Sequence, residues 1–331
     1  MSDLSLVAIG TIFSDYRTTF VGNRLKNSEP VLNKKGRPIF RKGNLCGVTK
    51  IRYKTGEIKA LRMWQSESVN SKGICEHISK YIGQNPAPYL LNMSYLSKSI
   101  FFNGEYFSAL LMDWCDGRSL KEYINGHIDS VQELNSLKDS LIEMFKDMNQ
   151  RGISHGDIHH NNICVSDAGV PVLIDYDSMY VPSLKGFEDN CLGYSGFQLP
   201  NAREKNKFLS YKTDYFSQLI VILTLECIIQ NKSLWASYLD DDDTVSLLFK
   251  RDDFLNLQSS KIYSEVKKLK GEVPYLLNVL EQYLQQCSID ELWPFYESDK
   301  DNQSLYCINC GHKIFEARDK YCTKCGLLIY V

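Results

Sequence analysis

The sequence predicts an α+β fold in two parts, strand-rich first and helical after, with a small cysteine-rich module behind them. Three observations carry this expectation. Residues 37–64 and 106–114 hold short apolar runs bounded by turn residues, which is strand patterning. From residue 131 onward, Leu134, Leu137, Leu141, Phe145 and Met148 recur three and four apart, as on one face of a buried helix. Near the end, Cys307, Cys310, Cys322 and Cys325 form two CxxC pairs, each followed by glycine.

Taken in order, the first forty residues carry no clear period and are expected to wrap onto the part that follows. Lys54, Thr55, Gly56 and Glu57 signal a turn, and IKALRMW reads as the strand after it. Residues 69–82 are expected to be helical, ended by GQNPAP. YFSALLMDW is an apolar strand leading into an Asp116-Gly117 turn, and Ser119 is placed to cap a short helix carrying LKEYI. The helix over 131–151 should stop at Gly152. Beyond residue 182 the pattern is helical with long connections, and the apolar run 219–229 reads as a helix buried on all sides. The acidic run from Asp240 to Asp243 reads as a solvated loop. ESDKDNQS, near residue 300, separates this body from the cysteine-rich tail.

Composition narrows the function classes. With 331 residues the chain has ample core for one large domain or two modest ones. A net charge of −2 argues against nucleic acid as the chief partner. The start, MSDLSLVAIGTIF, lacks the basic region of a signal peptide. The longest apolar run is shorter than the roughly 20 residues that span a bilayer, so no membrane association is expected. Eleven cysteines, seven of them scattered, fit a reducing compartment and a cytoplasmic location.

The chemistry concentrates in HGDIHHNNICVSDAGVPVLIDYD, residues 155–177. Asp157 can orient an attacking hydroxyl, while Asn162 and Asp175 can hold Mg²⁺ against nucleotide phosphates. Between them, CVSDAGVPVLI reads as two short strands around a turn, which would fold the second carboxylate back beside the first. The plain alternative for HGD-x-H-x-x-N is a turn whose polar side chains satisfy backbone groups.

Together with MDWCDGRSLKEYI upstream and KTDYFSQLIVILTLECI downstream, this segment resembles the protein kinase-like superfamily over roughly residues 40–290. It is most similar to bacterial serine/threonine kinase-like proteins with LIDYD at the metal motif; NKSLW and SLLFKRDDF also look like that group. The resemblance implies a bilobal fold: an extension over 1–38 packing on a small β-rich N-lobe (39–115), then a helical C-lobe (116–299). Asp157 then resembles the catalytic-loop Asp, Asn162 and Asp175 the metal ligands, and Asp214 the helix-start Asp that braces the loop. Asp113 and Cys115 lie where backbone groups would meet adenine.

Departures from the family pattern sharpen the expectation. His159 stands where protein kinases carry Lys, and is similar to aminoglycoside and choline phosphotransferases, whose loop also opens HGD. Asp177 replaces the Gly of DFG, to touch metal or to bond backbone. GFQLP lacks the Glu expected near Pro200, and no phosphosite stands out among Ser178, Tyr180, Ser183, Tyr194 and Ser195.

Strand alternation addresses the nucleotide-gripping cation. Ala60 and Arg62 share a face, as the resemblance requires of the adenine-covering Ala and the phosphate-binding cation; Lys59 lies on the other. Arg62 is the preferred candidate and Lys59 the alternative, both being solvated strand residues on the plain reading. Glu76, on the helix that follows, is the candidate ion-pair partner. The glycine loop is degraded, keeping Gly43 and Val48.

In the tail, residues 300–331, two CxxCG knuckles supply four thiolates for a structural zinc ribbon, with a redox dithiol pair as the alternative. Lys313, Arg318, Lys320 and Lys324 allow nucleic-acid contact, although protein docking is the expected use. The expected activity is therefore ATP- and Mg²⁺-dependent phosphoryl transfer to protein Ser/Thr hydroxyls, with structural Zn²⁺ in the tail. A small-molecule kinase and a pseudokinase scaffold are the alternatives.

Overall fold

The computed structural model describes residues 3–42, 46–66, 71–189, 191, 193–239, 246–297, 305–306 and 313–314. It is a mixed α+β structure. Six antiparallel strands form its first part: β1 (Ser28–Pro30), β2 (Phe40–Lys42), β3 (Cys46–Tyr53), β4 (Ile58–Trp64), β5 (Met93–Phe102) and β6 (Glu105–Asp113). Their order is β1-β3-β4-β6-β5, with β2 also paired to β3. The β3–β4 turn falls at the Lys54–Gly56 signal, and Gly56 takes the positive φ such a turn needs.

Both faces of this sheet are covered, which explains why β6 reads as a continuous apolar run. Leu61 and Met63 of β4, with Ala109 and Leu111 of β6, join one apolar cluster. Ala60 and Trp64, with Leu110 and Met112, face the other. The first cluster is completed by α1 (Leu6–Ser14), whose Ile9, Ile12 and Phe13 are fully buried. Burying three such side chains contributes at most about 5–9 kcal/mol against an extended chain. Ser5 caps α1 by accepting the Ala8 amide hydrogen bond, and the short α2 (Tyr16–Thr19) follows. The unperiodic N-terminal segment thus covers a sheet face.

Helix α3 (Ser71–Gln84) buries Cys75, Ile78 and Ile82 on the helical side of the sheet. After β6 comes the two-residue strand β7 (Arg118–Ser119) and α4 (Leu120–His127). A reciprocal Ser119–Glu122 capping box starts α4 where the sequence placed it. Helix α5 (Val131–Gln150) buries the predicted face. It stops in a Schellman arrangement: Ile153 N–H bonds Met148 O, Gly152 N–H bonds Asn149 O, and Gly152 has φ +62°. That stop delivers the chain directly to residue 155.

Strands β8 (Ile163–Val165) and β9 (Pro171–Leu173) form the expected hairpin, with β7 beside β8. Helix α6 (Tyr215–Gln230) is buried almost all round. Two of its polar residues have partners on α5: Gln218 exchanges amide bonds with Asn149, and Glu226 meets Lys138 at 2.6 Å. Shorter helices α7 (Ser233–Tyr238), α8 (Arg251–Leu255) and α9 (Lys261–Val266), then α10 (Val273–Tyr283), complete this region. The two-residue strands β10 (Leu305–Tyr306) and β11 (Lys313–Ile314) pair antiparallel. No helix among the described residues is long and apolar enough to cross a membrane. The acidic run 240–243, Gly43 and the four tail cysteines lie outside the described residues.

Candidate active site

The loop at 155–157 is fixed from below. Asp214, buried and leading into α6, accepts hydrogen bonds from the backbone N–H of His155 (2.5 Å) and of Gly156 (2.9 Å). Gly156 has φ +83°, and a Cβ there would sit 2.1 Å from the carbonyl oxygen of Ser178. Only glycine allows this approach. His155, also buried, has Nδ1 on the Asp157 N–H (3.3 Å), which leaves its Nε2–H to donate to Ile174 O (2.8 Å). The loop is thereby tied to the residue before Asp175. Sequence reading missed this histidine as a positioning group, although its place beside Gly-Asp was the available signal.

Asp157 is held by two neighbours. Asn162 donates Nδ2–H to Asp157 O at 2.9 Å and lies 3.4 Å from Asp157 Oδ2. His159 Nδ1 accepts the Asn161 N–H, so its Nε2–H points to Asp157 Oδ2, 3.5 Å away. The His159 ring is itself buried, edge-on against Tyr194 at 4.4 Å.

The hairpin brings the second carboxylate back. Ile163 pairs with Leu173, and Ile174 N–H donates to Asn162 O at 3.0 Å, so Asn162 and Asp175 leave the hairpin at the same end. Asp175 has φ +69°, a left-handed conformation that costs a non-glycine residue about 1–2 kcal/mol. Strain of this kind collects at functional sites. With Asn162 Nδ2 committed to Asp157, the amide oxygen of Asn162 and the Asp175 carboxylate remain as hard oxygen donors of the kind that hold Mg²⁺. Among the described residues there is no group of three or more His, Cys, Asp or Glu that could hold a metal ion.

Arg62 reaches this cluster from the sheet. Its Nη1 lies 2.7 Å from Asp175 Oδ1 and 2.6 Å from Asp177 Oδ1, and Nη2 lies 2.5 Å from Asp177 Oδ2. The guanidinium is buried and stands 5.9 Å from the Trp64 ring. Burial pulls its pKa down, but Asp175 and Asp177 more than offset this and hold it well above the ordinary value. Arg62 Nε is buried with no hydrogen-bond partner among the described residues, and the Cys46 thiol interacts with the guanidinium. Packing pushes the Asp177 carboxyl up, against the pull of Arg62. With 42 % of its side chain open to solvent and both oxygens on a guanidinium, we assign it as ionised.

Lys59 is engaged elsewhere, on Asp113 at 2.5 Å and Glu57 at 2.6 Å. Arg62, and not Lys59, is therefore the cation of this strand that reaches Asp175. Glu76 is not brought to Arg62. It is exposed on α3 and lies 3.8 Å from Lys72, one turn back. Asp177 meets Arg62, where metal or backbone was expected. Ala60 packs toward the helical side, and Val48 stands opposite Arg62 in the β3–β4 register. Asp113 also accepts from Asn92, and its own N–H is bonded to Asn92 O. The Cys115 thiol lies 2.8 Å from that of Cys164, which lowers the pKa of Cys115 and raises that of Cys164. Two surface hollows of about 330 and 470 Å³ lie elsewhere, and neither is lined by Asp157, Asp175 or Arg62.

No family model matches the chain, and no curated protein matches it.

Proposed function

We propose that this chain is an ATP- and Mg²⁺-dependent phosphotransferase of bilobal, protein kinase-like fold. It would transfer the γ-phosphoryl group to a protein Ser or Thr hydroxyl, with its tail as a zinc ribbon for docking. One observation carries the reading: a strand of the sheet delivers a buried arginine to the carboxylate that one hairpin sets beside Asn162 and the Asp157 loop. Turn satisfaction alone would not require a buried cation from a strand 113 residues away.

In this reading nucleotide lies between the sheet and the 155–177 segment. Arg62 faces the phosphate oxygens with a guanidinium that stays charged throughout. Asp157, oriented by Asn162 and His159, aligns the acceptor hydroxyl and receives its proton. Mg²⁺ on Asn162 and Asp175 would supply neutralisation of charge on the phosphates. The residues fit that role in kind, being one carboxylate and one amide oxygen. The protein's share of the rate would come from positioning and fixed charge, in keeping with the hydrogen bonds that brace the loop.

The test is transfer from labelled ATP with Mg²⁺ by the full chain, beside Asp157→Ala and Asp175→Ala. The parent should label an added or endogenous protein acceptor, and either variant should lower this by about 10²–10⁴-fold. Label found only on a small-molecule alcohol would move the acceptor class to that of the aminoglycoside and choline enzymes. A folded parent with no transfer and no thermal shift with Mg·ATP would sink the proposal.

A further inference from the structure

We propose that Asp177 is the positioning residue that anchors Arg62, leaving Asp175 as the exchangeable member of the cluster. This rests on the phosphotransferase reading above and concerns how its cation is aimed. The two carboxylates do not hold the guanidinium alike. Asp177 takes it with both oxygens, one on each terminal nitrogen, at 2.6 and 2.5 Å. Such a fork fixes the plane of the guanidinium as well as its distance. Asp175 has a single contact, at 2.7 Å, on the nitrogen already shared with Asp177.

The difference in grip implies a division of labour. Losing Asp175 to another ligand would cost Arg62 one of three contacts and leave its plane unchanged. Losing Asp177 would remove two and free the side chain to rotate. The left-handed turn at Asp175 points both carboxylates, two positions apart, at one cation. Because Glu76 faces solvent beside Lys72, α3 offers Arg62 no competing anchor through that residue. The anchor and the metal-binding candidate therefore sit on one short segment, and whatever orders residues 175–177 sets Arg62 at the same time.

The experiment is a double-mutant cycle on the full chain, reading Mg·ATP affinity by calorimetry and the ATP KM and kcat of transfer. Asp177→Asn should weaken Mg·ATP binding by about tenfold, the loss expected of one charge-assisted hydrogen bond. The same change in an Arg62→Met background should alter it by less than about twofold, since the partner is gone. Asp177→Glu, which keeps the charge, should recover most of the affinity, and Glu76→Gln should match the parent.

Equal losses from Asp177→Asn in both backgrounds would overturn the proposal, as would a parent-like Asp177→Asn or a Glu76→Gln effect that depends on Arg62. Circular dichroism reports folding of each variant. If Asp177→Asn does not fold, Asp177→Glu and Asp177→Ser complete the cycle. A parent that fails to bind Mg·ATP at all would count against the phosphotransferase reading instead, so the two failures are distinct.

Discussion

The two halves of the candidate site are built by different means. Residues 155–162 are held from the helical core, through the buried Asp214 carboxylate, the His155 imidazole and a glycine that no other residue can replace. Residues 175–177 are held across the boundary with the sheet, by one guanidinium on two carboxylates that keep 42 % of their surface in water. The first half is braced by bonds a ligand need not disturb. The second is an ion cluster whose members, on the proposed function, are the groups a phosphate and a cation would engage. Rigidity from buried backbone bonds is thus placed under residues 155–162, and partly solvent-exposed ion pairs under residues 175–177.

Substitutions in the two halves test this contrast, and the largest effect is expected below the loop. Asp214→Ala leaves two buried N–H groups without their acceptor and should cost about 3–5 kcal/mol in urea unfolding. A loss under about 1 kcal/mol would mean that the brace is not there. Arg62→Met should cost less, about 1–2 kcal/mol, because the carboxylates it abandons can rehydrate and Met fills apolar volume. That variant should also gain thermal stability from Mg²⁺ alone, since two carboxylates lose their counter-ion. An Arg62→Met penalty larger than that of Asp214→Ala would reverse the comparison.

The smallest effect is expected at the Lys59–Asp113 ion pair. Burial raises the Asp113 pKa, but hydrogen bonds from Lys59 and Asn92 outweigh it and hold the carboxyl below its ordinary value. Its contribution is therefore present above the unfolded pKa, near about 3.9, and is lost as pH falls through the folded value. Lys59 is opposite in sign: burial lowers it, Asp113 and Glu57 raise it further, and its net raised pKa gives stability that is lost as pH rises through the folded value. Lys59→Met should cost about 0.5–1 kcal/mol near neutrality and flatten the fall in Tm below about pH 4. An unchanged acid slope would show that the pair is not what depresses Asp113.

How much of this was legible in the sequence follows from distance along the chain. The Asp157, Asn162 and Asp175 arrangement depends on a hairpin of neighbouring residues, and strand period and turn signals suffice to find it. Arg62 was chosen over Lys59 by alternation, which is again local. The partner of Asp177 was not legible, because it lies 115 residues away and depends on the left-handed backbone at Asp175. Glu76 misled because helical periodicity places it on a helix but does not aim it. Helix α1 was missed because LVAIGTIFS mixes β-branched residues and a glycine, so only the sheet it covers stabilises it as a helix.

That covering helix has a consequence for how the chain is made. The apolar face of α1 emerges first, while its partners Leu61, Met63 and Leu111 are still unmade. From Phe13 to Leu111 is roughly 100 residues, which at roughly 5–20 residues per second leaves the face uncovered for about 5–20 s. During synthesis this apolar face therefore waits uncovered until β4 and β6 have been made.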